Sequence, residues 1–214
     1  RAAKAGGELG LYYAFEGQVL FELGNYQESR RVLERGVAVD SDAAHTIYHL
    51  GLVLERLEAE GEEEGAPGVG IENSEAAFAR ANSLEPQQFP LPVIMDDAAF
   101  TRAVDSSVAN LPRSIREQIE GVSVLVEDFP TVELVRDERL SPQTLGLFMG
   151  VARTEALLTD QPLDLDRILL YKRNLEKICR DEEELIDQIQ ITVRHEVGHY
   201  LGLDEDDLER LGLA

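Results

Sequence analysis

Only one cysteine, Cys179, occurs in the 214 residues, and a single thiol can build neither an intrachain disulfide framework nor a multi-cysteine metal site. It suits a reducing compartment, and a cytoplasmic location is expected. Basic residues are scarce too: 20 Lys and Arg stand against 42 Asp and Glu, a formal net charge of -22. Such a surface repels phosphate backbones and anionic headgroups, so neither nucleic acid nor a membrane is expected as a partner. It favours cationic ligands and metal ions without selecting among them. Long apolar runs are missing as well. The longest, around Leu145 to Ala152, falls far short of the roughly 20 residues that span a bilayer. No secretory signal opens at Arg1, although the chain does not begin with Met.

What is present falls into two halves with different patterns, and the length suffices for two small domains. In the first half, Tyr13, Gly17 and Leu20 lead into Gly24-Asn25-Tyr26, then Leu33, Gly36 and Val39-Asp40-Ser41. A second copy follows: Ile47, Leu50-Gly51 and Leu54, then Phe78, Ala81 and Leu84-Glu85-Pro86. Small residues at this spacing let paired helices approach closely while large apolar residues fill between them. Residues 1–86 resemble tetratricopeptide repeats on these positions. The second copy is lengthened by an acidic, glycine-rich insertion at 58–70, expected to be a mobile loop because it cannot bury enough apolar surface to offset its ordering entropy.

Gln87-Gln-Phe-Pro-Leu-Pro92 reads as a linker, since its prolines deny helix continuation, and a second domain is expected over 93–214. The sequence predicts helix from Phe100 to Ile119 with a break near Leu111-Pro112, strands at 122–128, 145–151 and 167–173, and a long helix from Asp181 to Leu201. The fold class is therefore α+β, an all-α repeat module followed by a compact domain with a short mixed sheet.

The chemistry concentrates on the last of these helices. Leu185, Ile189, Val193, Val197 and Leu201 recur every four residues and form one apolar stripe. His195 and His199 share a different face; residues four apart have β-carbons about 5–6 Å from each other, so both imidazoles can converge on one tetrahedral ion. Glu196 projects beside them, where a carboxylate can reach a metal-associated water and serve as general base. Gly202 can take the left-handed conformation that stops the helix, which would bring Asp204-Glu205-Asp206-Asp207 back towards the histidines to supply a third ligand.

The extended pattern reads His195-Glu196-x-x-His199-x-x-Gly202-x-x-Glu205. With Val122 to Asp128, Leu145 to Gly150, Arg167 to Lys172 and Leu211-Gly212, it makes residues 93–212 resemble the small bacterial zincin-like metallopeptidases sometimes called minimal gluzincins. The resemblance implies Zn2+ held by His195 and His199, with Glu196 as base. The family position matching Glu205 is commonly aspartate, so Glu205 as third ligand departs by one methylene; Asp204, Asp206 or water are the alternatives.

Plainer roles compete at several positions. Asp204 suits a helix N-cap with Asp207 three residues on. Gly198 costs about 1 kcal/mol in a helix against alanine, which close packing or access to the metal would offset. Tyr171 and Tyr200 are expected to pack, as is Cys179. His45 and His49 are also four apart but have no acidic residue between them, and are expected on the surface or in a groove. Two function classes follow: a hydrolase acting on the peptide bonds of a peptide or protein substrate or on a related amide bond, or an inert metal-binding adaptor whose helical repeats bind a partner protein or peptide.

Overall fold

The computed structural model describes residues 2–61, 69–150, 166–204, 206–207 and 210, with side chains from residue 9 onward. Among these residues it is α+β, and the chain divides into two compact units. One comprises Arg1–Leu91 and Thr131–Pro142; the other comprises Pro92–Pro130 and Gln143–Ala214. No helix among the described residues is long and apolar enough to cross a membrane.

The first unit contains α1 (Ala2–Glu22), α2 (Tyr26–Val39), α3 (Ala44–Ala59) and α4 (Ser74–Leu84), each packed on its successor. Fully buried Leu33, Ile47, Leu50 and Val53 lie at the centre of its core. The small residues at the repeated positions sit where helices meet. A β-carbon on Gly51 would stand 2.8 Å from the Phe78 ring, and one on Gly17 would collide with Leu33. The first residues of the expected insertion, Glu58 and Ala59, close α3. Glu58 accepts hydrogen bonds from the Ser74 backbone N–H at 2.8 Å and the Ser74 hydroxyl at 2.6 Å, pinning together the ends of a stretch whose residues 62–68 lie outside those described.

His49 departs from its expected place. It is 7% exposed, its ring lies 4.2 Å from that of His45, and its Nδ1 meets the His45 carbonyl at 2.9 Å. Burial holds its pKa down at about 4. Phe89, in the proline-bearing segment, covers the ring face of Tyr48 beside it, so this corner of α3 is closed by aromatic packing that helical periodicity alone does not show.

A further helix of the first unit, α7 (Val132–Asp137), was not foreseen. Thr131 caps it by accepting from the Leu134 N–H, Val135 is buried, and Arg136 donates from Nε and Nη2 to the Gly24 carbonyl at 3.1 and 2.7 Å. Residues 131–142 therefore belong to the first compact unit.

The second unit holds α5 (Asp97–Ala109), α6 (Arg113–Arg116), β1 (Ser123–Glu127), β2 (Gly146–Met149), β3 (Arg167–Tyr171), α8 (Lys172–Ile178) and α9 (Glu182–Tyr200). The expected helix break is present, with Pro112 at the N-cap of α6. The described strands order as β1-β3-β2, β1 parallel and β2 antiparallel to β3. Strand β3 ends at Tyr171, two residues before its expected limit, because α8 begins at Lys172. Val151, the last residue of the strand expected over 145–151, lies outside the described residues. Glu176 of α8 ties down the start of the unit: its carbonyl accepts from the Val93 N–H at 2.9 Å and its carboxylate from the Met95 N–H at 3.0 Å. Burial raises the Glu176 pKa, opposed by the Met95 hydrogen bond and the nearby Lys172 and Arg173 charges. Cys179 is fully buried, and burial pushes its thiol up to about 11, a packing role rather than a reactive one.

Candidate metal and active site

Helix α9 begins and ends on local signals. The Asp181 side chain accepts from the Glu184 N–H at 2.9 Å, while the Glu184 carboxylate accepts from the Arg180 N–H at 2.7 Å, and three glutamates occupy the positive first turn. Leu185, Ile189 and Val193 are fully buried and Val197 nearly so, which anchors the stripe side of the helix in the core. At the other end, Gly202 takes a φ of 85°. Its N–H reaches the His199 carbonyl and the Leu203 N–H reaches the Gly198 carbonyl, both at 3.0 Å. The second bond spans five residues, the hydrogen-bonding pattern of a helix closed by a left-handed glycine.

That reversal orients His199. The Leu203 carbonyl comes to 3.2 Å from His199 Nδ1; a ring nitrogen meeting a carbonyl must carry the proton. Nε2 is thereby left as the basic nitrogen, and it faces His195 Nε2 at 3.1 Å with the two rings nearly perpendicular, 84° apart. Two nitrogen donors on one tetrahedral ion at zinc–imidazole bond lengths stand about 3.3 Å apart. The pair is half-buried and so retains access to solvent. Anchoring the second ring nitrogen on a backbone carbonyl is how metal-binding imidazoles are commonly held in one tautomer. The residues present therefore fit a small, tetrahedrally coordinated cation with nitrogen-preferring chemistry.

Glu196 is 6% exposed and borders, with His195, a cavity of about 450 Å³. Thr144, Gly146, Gln188 and Thr192 complete much of its wall. Gly146, the first residue of β2, stands so close that a β-carbon there would lie 3.0 Å from Glu196 Oε1 and 2.6 Å from Thr192 Cγ2. The wall before it is fixed by two bonds: the Asn174 side chain donates to the Thr144 carbonyl at 2.7 Å, and the Tyr171 N–H to the Leu145 carbonyl at 2.8 Å. The cavity thus combines a buried carboxylate, an imidazole and the start of a strand at the edge of the described sheet, an arrangement suited to proton transfer beside an extended substrate.

Glu205, the expected third ligand, lies outside the described residues, as do 208–209 and 211–214. Asp204 makes the N-cap contact expected of it, accepting from the Asp207 N–H at 2.8 Å. Tyr200 is buried, stacks edge-on against Phe148 and donates to the Gln118 carbonyl; Tyr171 is buried as well. Gln188 and Thr192 were missed in the sequence, although they precede His195 by seven and three residues and so occupy its helix face. Gly146 and Thr144 carried no sequence signal, because only the packing of β2 on α9 brings them to the site.

Residues 119–213, somewhat under half of the chain, match the family model described as zincin-like metallopeptidase. The matched segment includes every strand described, α8, α9 and the histidine pair. No curated protein matches the chain.

Proposed function

We propose that the chain is a zinc-dependent metallopeptidase in which His195, His199 and Glu205 hold the ion and Glu196 is the general base. The observation that carries this reading is the 3.1 Å approach of two imidazole Nε2 atoms, one of them fixed in tautomer by a backbone carbonyl, beside a buried carboxylate. Bound zinc supplies Lewis acidity, polarising a scissile carbonyl and making water a better acid. Glu196 takes the proton from the attacking water and returns it to the departing amine. Its burial and its close approach to Gly146 limit the directions in which the carboxylate can swing. The substrate is a peptide or protein segment in extended form, aligned along β2 by main-chain hydrogen bonds. The tetratricopeptide-like helices form a module that engages a protein partner or presents the substrate.

The test combines elemental analysis of the purified protein with a peptide-library cleavage assay on the wild type and Glu196→Gln. The variant is expected to keep its fold and its zinc while turnover falls by about 10²–10⁴-fold. Equal cleavage by both proteins would remove Glu196 from the mechanism. A wild type that neither retains zinc nor cleaves any peptide would sink the hydrolase reading.

A further inference from the structure

A second cavity, of about 460 Å³, opens on another side of α9. Leu111, Ile115, Val197, Leu201 and Leu203 give it apolar walls, and Ser107 closes it from α5. Its volume falls in the range of roughly 300–1,000 Å³ typical of small-molecule sites, which are likewise mostly apolar with a few fixed polar groups. Its polar side chains are those of Ser107, Asn110, Gln190 and Arg194. Arg194, exposed, donates from Nη2 to the Gln190 side-chain oxygen at 3.1 Å, and it is the one charged group of the described lining.

The charge of the lining is the informative feature. The chain carries 42 acidic residues against 20 basic, yet the described residues that line this cavity include an arginine and no carboxylate. A guanidinium presents paired donors matched to a carboxylate, and the neighbouring apolar wall suits a hydrocarbon chain or ring. We infer that this cavity is a binding site for a small monocarboxylate with an apolar body, the body against Leu111, Ile115 and Val197 and the carboxylate at Arg194. Leu203, which lines this cavity, is also the residue whose carbonyl meets His199 Nδ1, so the occupant lies against the residue that orients that imidazole.

Decanoate is the probe, with decanol as its uncharged counterpart, titrated into the full, metal-free chain by calorimetry and by amide NMR. Working without metal separates this site from the hydrolase reading, since neither result depends on zinc. Saturable binding with a Kd below about 1 mM is expected, with the largest shifts at the Val197, Gly198 and Leu203 amides. Ser107→Phe, which fills the cavity, should weaken both probes at least about tenfold. Arg194→Ala should weaken decanoate by a similar factor and leave decanol unchanged, because it removes only the cation. Should Ser107→Phe fail to fold by circular dichroism, Ile115→Trp serves in its place. Absence of saturable binding, shifts centred elsewhere, or equal affinity in the filled variant would each overturn the proposal.

Discussion

Gly146 and Glu196 are in such close register that the smallest possible side chain at the first would press on the carboxylate of the second: a β-carbon at 146 would stand 3.0 Å from Glu196 Oε1. Strand and helix meet there without an intervening side chain, and the position of the carboxylate depends on that bareness. Gly146→Ala is therefore expected to cost about 1–3 kcal/mol by overpacking and to lower turnover more than zinc content. Thr192→Ser, which removes the methyl that the new β-carbon would strike first at 2.6 Å, should recover part of the stability. Urea denaturation of the single and double variants measures it; an unchanged midpoint in Gly146→Ala would show that the strand yields freely.

Zinc binding should stabilise the chain and depend on both imidazoles. At a free zinc concentration about 100 times Kd, the gain is about 2.7 kcal/mol, read as a rise in the thermal midpoint that a chelator reverses. His195→Ala and His199→Ala should each abolish the rise, while His45→Ala should preserve it. An undiminished rise in either of the first two variants would place the ion elsewhere.

His49 predicts a pH dependence of the first unit. Its folded pKa, about 4, lies below the ordinary 6.5, the lowering being due first to burial and opposed by the His45 carbonyl. Protonation therefore favours the unfolded chain. The stability of the neutral ring is fully present above pH 6.5 and is lost as pH falls from 6.5 towards 4, by an amount on the order of 3 kcal/mol. His49→Leu should flatten stability over that window relative to wild type, measured by urea unfolding at several pH values. Identical slopes in the two proteins would contradict the assignment.

The turn between α1 and α2 supplies a further prediction. Gly24 has a φ of 69°, and a β-carbon there would meet Val135 at 3.1 Å. Gly24→Ala should cost about 1–2 kcal/mol from the left-handed backbone alone, with more from the contact. Arg136→Ala leaves the Gly24 carbonyl without its two guanidinium donors and should cost about 1–3 kcal/mol. Hydrogen exchange at α7 checks both, and protection there equal to wild type in the two variants would refute them.

The parts of this molecule that were legible in its sequence are those written in nearby residues. The start of the long helix near Asp181, the stripe from Leu185 to Val197, Gly202 as terminator and the facing of His195 and His199 all depend on spacings within one helix. Both α7 and α8 escaped because short helices carry little periodicity; in α8, Lys172, Asn174, Glu176 and Lys177 are buried through specific pairings rather than hydrophobicity. Strand β3 is two residues shorter than expected because a short helix starts directly at Lys172, with no turn residue to mark the change. The parallel alignment of β1 with β3 and the approach of Gly146 to Glu196 depend on contacts between distant residues, which no local pattern encodes.

Because residues 131–142 belong with the first unit, the backbone passes between the two units at 91/92, 130/131 and 142/143. Cutting the gene at a single point cannot separate them. A fragment ending at Leu91 would lose the partner of the Gly24 carbonyl, and one starting at Pro92 would carry Val135 stripped of its cover. Dissection of this protein calls for circular permutation or for excision of the 131–142 excursion, and a protease nick within that excursion would leave both new chain ends in the first unit, each still joined covalently to the second.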